Sequence, residues 1–191
     1  MVGSVEGADL SQFRDSLEAA IILFGLEPAF SETSRLYYEP SLGELKRWQL
    51  NALKVIQTFS QKELNESCKD FGKNSQRGSE ALFVLLITKE DLFIEGMNFV
   101  FGLAVPGSGM AVLSVNRLTK WNESLTPSLV KERILKEAAH EIGHLLGLKH
   151  CKLATCIMSF SQNLEQVDQK LPIACIDCLS KAREGRLRLG R

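Results

Sequence analysis

Residues 140–150 read His-Glu-Ile-Gly-His-Leu-Leu-Gly-Leu-Lys-His, and no other stretch of the chain restricts its fold so tightly. All 3 histidines of the sequence lie within it. On an α-helix His140 and His144 stand one above the other on one face and can share a single metal ion. Glu141 is displaced by about 100° around the same helix, where it can reach a water on the metal without binding the metal itself. Gly147 can take the left-handed conformation that ends a helix sharply, so that the chain turns and returns His150 as a third ligand. Three protein nitrogens leave one tetrahedral position for water, which is the arrangement of a catalytic zinc with Glu141 as general base. H-E-x-x-H alone is short enough to arise by chance; H-E-x-x-H-x-x-G-x-x-H is far more demanding.

Four of the 5 cysteines follow closely: Cys151, Cys156, Cys175 and Cys178. Four soft, charged thiolates in two short-spaced pairs describe a closed, structural zinc site. It would tie the C-terminal segment to the end of the histidine helix and fix the turn that presents His150. Disulfides or free thiols are the alternative. Met1–Leu10 has no basic segment ahead of an apolar run, so the reading is a soluble, cytoplasmic chain in a reducing compartment, which favours thiolate ligands. Cys68 stands apart and reads as a plain thiol.

The 191 residues fit one domain, 1–191, divided at the helix end into an N-terminal lobe (1–147) and a small C-terminal lobe (148–191). Lys+Arg and Asp+Glu balance at 23 each, so no global field recruits nucleic acid or an anionic membrane, and no apolar run is long enough to span a bilayer. A monomer is expected. The basic tail Lys181–Arg191 reads as a frayed, solvated terminus.

Apolar residues at Leu10, Phe13, Leu17, Ala20, Ile21 and Phe24 predict a helix over 9–24 that stops at Gly25. Pro28–Leu36 reads as extended, and Leu42–Leu64 as a second helix. Lys69–Ser79 has loop composition. The continuous apolar run Ala81–Thr88 suits a strand buried on both faces. Lys89–Asn98 reads as a connection. Phe99–Val105 and Met110–Arg117 flank Pro106-Gly107-Ser108-Gly109 as a hairpin. Thr126 caps the last helix, with Pro127 at its first position. The order α-β-α-β-β-β-α gives a mixed α/β sheet backed by helices, with the histidine helix as the floor of a cleft.

These motifs together resemble the archaemetzincins, a branch of the metzincin zinc peptidases. The extended histidine motif runs straight into C-x4-C-x-M (Cys151 to Met158), and C-x-x-C follows at Cys175–Cys178. Similarity also covers Thr88–Leu92, Asn98–Ala104, Ser114–Leu118 and Ser159–Lys170. It is weak in the N-terminal third. The gap between Met158 and Cys175 holds 16 residues, one fewer than the family pattern. The resemblance implies a twisted mixed sheet with an antiparallel edge strand, and a catalytic zinc on His140, His144 and His150. It places Met158 in a tight turn beneath those histidines. It also implies that Phe99–Val105 forms the upper rim of a cleft, where a peptide adds as an extra strand. The expected function is therefore a zinc metallopeptidase carrying two Zn2+ ions and acting on peptide or protein substrates. The alternative is a zinc-containing peptide-binding module with little or no turnover. A three-histidine nuclease fits less well, because Glu141 favours water activation and no basic groove is evident.

Overall fold

A computed structural model describes residues 2–4, 11–28, 30–31, 43–44, 49–59, 83–120 and 126–189. Within these, nine strands form two sheets. The first has the order β2 (Phe30–Ser31), β1 (Val2–Ser4), β5 (Val84–Thr88), β9 (Met110–Ser114), β8 (Gly102–Val105). Its first four strands are mutually parallel, and β8 closes one edge antiparallel to β9. The second has the order β3 (Gly43–Glu44), β4 (Gln49–Asn51), β6 (Asp91–Ile94), β7 (Met97–Val100). The fold is mixed α/β with an antiparallel edge strand, as expected.

Strand β5 explains why an unbroken apolar run is required. Leu85 and Ile87 point into one core with Ala111 and Leu113 of β9, facing helix α1 (Arg14–Ile22) and the long helix α3 (Pro127–Leu145). Val84 and Leu86 point the other way with Val112, against helix α2 (Ala52–Phe59). Side chains alternate across a strand, so a strand covered on both faces must be apolar at every position.

Several expectations need correction. Helix α1 begins at Arg14, after a 3-10 turn over Ser11–Phe13, and its first residue has no side-chain cap. Among the described residues within 42–64, Ala52–Phe59 is helical, whereas Gly43–Glu44 and Gln49–Asn51 are strands. The supposed connection Lys89–Asn98 holds β6 and the start of β7, paired antiparallel around Gly96 at φ 84°. Phe99–Val105 is not one strand: the chain changes sheet at Phe101. The tail is helical as far as Leu189, in α5 (Ile176–Leu189), which follows α4 (Leu164–Gln169). Ala182 is buried, Arg186 Nη1 donates to the Gly25 carbonyl at 2.6 Å, and a Cβ on Gly185 would overlap the Leu146 carbonyl oxygen. Cys68, the loop Lys69–Ser79, and the readings at 9–10, 32–36 and 60–64 lie outside the described residues. Among the described residues, no helix is long and apolar enough to cross a membrane.

Candidate active site

Helix α3 is capped by Thr126, whose side chain accepts from the Leu129 N–H at 3.2 Å, and it starts with Pro127. It ends in a Schellman arrangement. Gly147 N–H donates to the His144 carbonyl at 2.9 Å and Leu148 N–H to the Gly143 carbonyl at 3.0 Å, with Gly147 at φ 85°. A side chain at Gly147 would meet nothing, so the left-handed backbone alone selects glycine there. The turn reverses the chain and brings His150 back beside the helix.

The three imidazoles meet: one ring nitrogen from each of His140, His144 and His150 lies within 4.8 Å of the others. His140 Nδ1 bonds the Ile157 carbonyl at 3.0 Å, and His144 Nδ1 bonds the Leu148 carbonyl at 2.7 Å. A carbonyl oxygen only accepts, so both Nδ1 atoms carry the proton and both Nε2 atoms present a lone pair. These two Nε2 atoms are 3.1 Å apart. Two bare lone pairs at that distance repel unless a cation lies between them. Nitrogens at tetrahedral zinc stand about 3.3 Å from one another, given a Zn–N bond of about 2.0–2.1 Å. The donor set therefore fits zinc. Burial lowers the proton affinity of all three rings, most strongly at His140, which keeps them in the neutral, ligating form.

Glu141 is buried, and its Oε1 lies 2.6 Å from where a Cβ on Gly102 would stand. Burial first, and the Glu137 carboxylate second, raise its proton affinity well above the usual carboxylate range. The two acids are one helical turn apart. Glu137 faces Lys170, whose Nζ donates to Oε1 at 2.8 Å, and both side chains are almost fully enclosed. Arg133 holds Asp168 through two bonds of 2.7 and 2.6 Å, and Lys136 Nζ donates to the Asp168 carbonyl at 3.1 Å. Charged groups thus pin α4 and its following residues behind the histidine helix.

Met158 is fully buried beneath the helix. A Cβ on Gly143 would overlap its Sδ, which explains a glycine in the middle of α3. The Met158 carbonyl accepts from Cys151 N–H at 2.8 Å, and Ser159 N–H closes the turn on Cys156 at 2.9 Å.

Sulfurs of Cys151, Cys156, Cys175 and Cys178 lie within 4.8 Å of one another, and all four are free thiols. Cys151–Cys175 and Cys156–Cys178 are each separated by 3.9 Å. Tetrahedral zinc thiolates stand about 3.8 Å apart, given a Zn–S bond of about 2.3 Å. This donor set also fits zinc. Cys175 N–H donates to Cys156 Sγ at 3.3 Å. Burial raises the Cys156 thiol overall, and that bond works against burial in favour of the thiolate.

The three histidines and four cysteines expected from the sequence form these two clusters, Glu141 lines the cleft beside the first, and Met158 lies beneath it. Gly102, Gly143, Glu137, Lys170, Arg133 and Asp168 were not foreseen. The pairings of Glu137 and Lys170, and of Arg133 and Asp168, bridge more than 30 positions and leave no local pattern. Gly143 lies inside the histidine motif but becomes informative only once Met158 is placed against it.

The cleft over the site has a volume of about 560 Å³. It is lined by β7, by Gly102–Ala104 of β8 and by Phe160–Gln162, together with Glu137, His140, Glu141, His144 and His150.

A family model described as Peptidase family M54 matches residues 44–184. An archaemetzincin of Pyrococcus furiosus is 44% identical over 118 residues, covering 61% of this chain and 60% of that protein. The chain thus aligns with a little under two thirds of that relative's length. An archaemetzincin of Saccharolobus islandicus is 34% identical over 160 residues, covering 83% of this chain and 79% of the relative. Among solved structures, archaemetzincin from Methanopyrus kandleri superposes with a TM-score of 0.74 at 30% identity, covering 96% of this chain and 93% of that one. A zinc-dependent peptidase from Methanocorpusculum labreanum gives 0.77 at 26% identity, covering 95% and 100%.

Proposed function

The chain belongs to peptidase family M54, the family of the archaemetzincins, and from that premise we propose that it hydrolyses peptide bonds with one zinc on His140, His144 and His150. Cys151, Cys156, Cys175 and Cys178 would hold a second zinc as a closed, structural site. The observation that carries this reading is the pair of Nε2 lone pairs held 3.1 Å apart, each by a carbonyl on its own Nδ1. Zinc, when bound, supplies a Lewis acid that polarises a carbonyl and makes water acidic near neutrality.

The chain's own residues supply the rest. Glu141 takes a proton from the attacking water on its carboxylate and passes it to the leaving amine. Its burial fits that task, because an acid with raised proton affinity accepts a proton more readily than an ordinary carboxylate. The Ile157 and Leu148 carbonyls orient His140 and His144. The Cys151 cage fixes the adjacent His150. Edge strand β8 offers main-chain groups to an extended peptide.

Replacing Glu141 with Gln should leave zinc content unchanged and lower kcat/KM by about 10²–10⁴. Wild-type turnover in this variant would remove Glu141 from the mechanism.

A further inference from the structure

Nine consecutive residues, Gly96–Ala104, line the cleft, and they come from two different sheets. Among the described residues, Met97–Val100 is an outer strand of the four-stranded sheet and Gly102–Val105 an outer strand of the five-stranded one. Phe101 joins them: it is buried, and its carbonyl accepts from Ser114 N–H at 2.8 Å, which anchors the kink. Two strand edges therefore run end to end along one groove. Glu141 lies against Gly102, so the reacting position is off-centre. Leu103 and Ala104 remain on one side, whereas Gly96–Phe101 extend on the other. At about 3.3 Å per residue, β7 adds roughly 13 Å of edge beyond the kink.

The lining has a consistent chemistry. Ile94, Met97, Phe99, Val100, Leu103 and Phe160 make it largely apolar. Among the described lining residues the only carboxylates are Glu137 and Glu141, and Glu137 is already paired with Lys170. No Lys or Arg is among them. Apart from Glu141 itself, neither end of a peptide meets an unpaired counter-charge among these residues.

We propose that β7 is a second substrate-binding edge, so that the cleft takes an extended, largely apolar polypeptide across the cut bond and grips about four more residues on the β7 side. This rests on the peptidase reading of the site. Internal bonds, rather than terminal ones, are then the target.

The test uses the zinc-loaded full chain and N-acetylated, C-amidated peptides, lengthened one residue at a time on either side of a mapped cleavage bond. Cleavage is followed by mass spectrometry, and binding to the Glu141→Gln variant by fluorescence anisotropy. Lengthening on one side should raise kcat/KM and affinity over about four residues, by roughly tenfold in all, and on the other side the gain should stop after about two. Asn98 is exposed on β7, about four positions from Gly102. Asn98→Asp should add a preference for lysine at the matching substrate position without changing cleavage of peptides too short to reach it. Length-dependent binding without cleavage would support the track and overturn the peptidase reading. Cleavage that is indifferent to length, or cleavage confined to matching peptides left with a free amino terminus and losing only their N-terminal residues, would support the peptidase reading and overturn the track.

Discussion

Single glycines set the tolerances of the site. Gly143 leaves room for Met158, and Gly102 leaves room for Glu141. In an isolated helix Gly143→Ala gains about 1 kcal/mol. Here the new methyl meets a fully buried methionine with nowhere to move, and overpacking of that kind costs about 1–3 kcal/mol. The variant should melt below wild type in the zinc-loaded form; a rise in Tm would show that Met158 does not press on the helix. Gly102→Ala should act differently, displacing the Glu141 carboxylate while leaving the histidines in place. Its expected signature is a loss of about a hundredfold in kcat/KM with unchanged zinc content. The metal-site residues themselves were legible because their spacing is dictated by helix geometry and by one left-handed glycine. Gly102 and Gly143 were not legible as fitting residues, since what excludes a side chain there comes from 39 and 15 positions away.

The elements behind the site are joined by charge rather than by apolar contact alone. Helix α3 buries Arg133, Lys136 and Glu137, and α4 and its successor supply Asp168 and Lys170 to meet them. An ion pair this enclosed is costly to break on one side, because the surviving charge is stranded away from water. Lys170→Met should therefore cost about 3–5 kcal/mol in denaturant unfolding, and adding Glu137→Leu to the same chain should recover much of it. A loss below about 1 kcal/mol in the single variant would mean that Glu137 finds water or another partner. Element type was readable wherever periodicity was long and clean, as along α3 and β5. It failed where short strands from the second sheet interrupt a helical pattern, at Gln49–Asn51, and where a charged surface pattern hid a packed helix, at Ile176–Leu189. The α5 case turns on small residues: Ala182 and Gly185 allow close approach to α3, a fit that charge counting does not register.

On the scale of the molecule, two sheets meet along the cleft, and one polar cluster holds the second sheet to the first. Asp91 of β6 receives two bonds from Arg117 at 2.8 and 2.7 Å and one from Gln49 of β4 at 2.9 Å. Burial raises its proton affinity, but these bonds outweigh burial and hold it below the ordinary value of 3.8. The folded state thus resists protonating Asp91 more than the unfolded state does. Its contribution is complete above pH 3.8 and is lost as pH falls from there through the lowered value. Asp91→Asn should be less stable than wild type at neutral pH, and the gap should close on acidification below that point. A gap that stays constant to pH 2 would assign the loss to packing instead. The account as a whole rests on two separate metal positions with distinct donor sets. Counting zinc per chain by native mass spectrometry, in wild type and in His144→Ala, tests it most directly. Two ions in the wild type and one in the variant are expected; a single ion in the wild type, or two retained without His144, would contradict it.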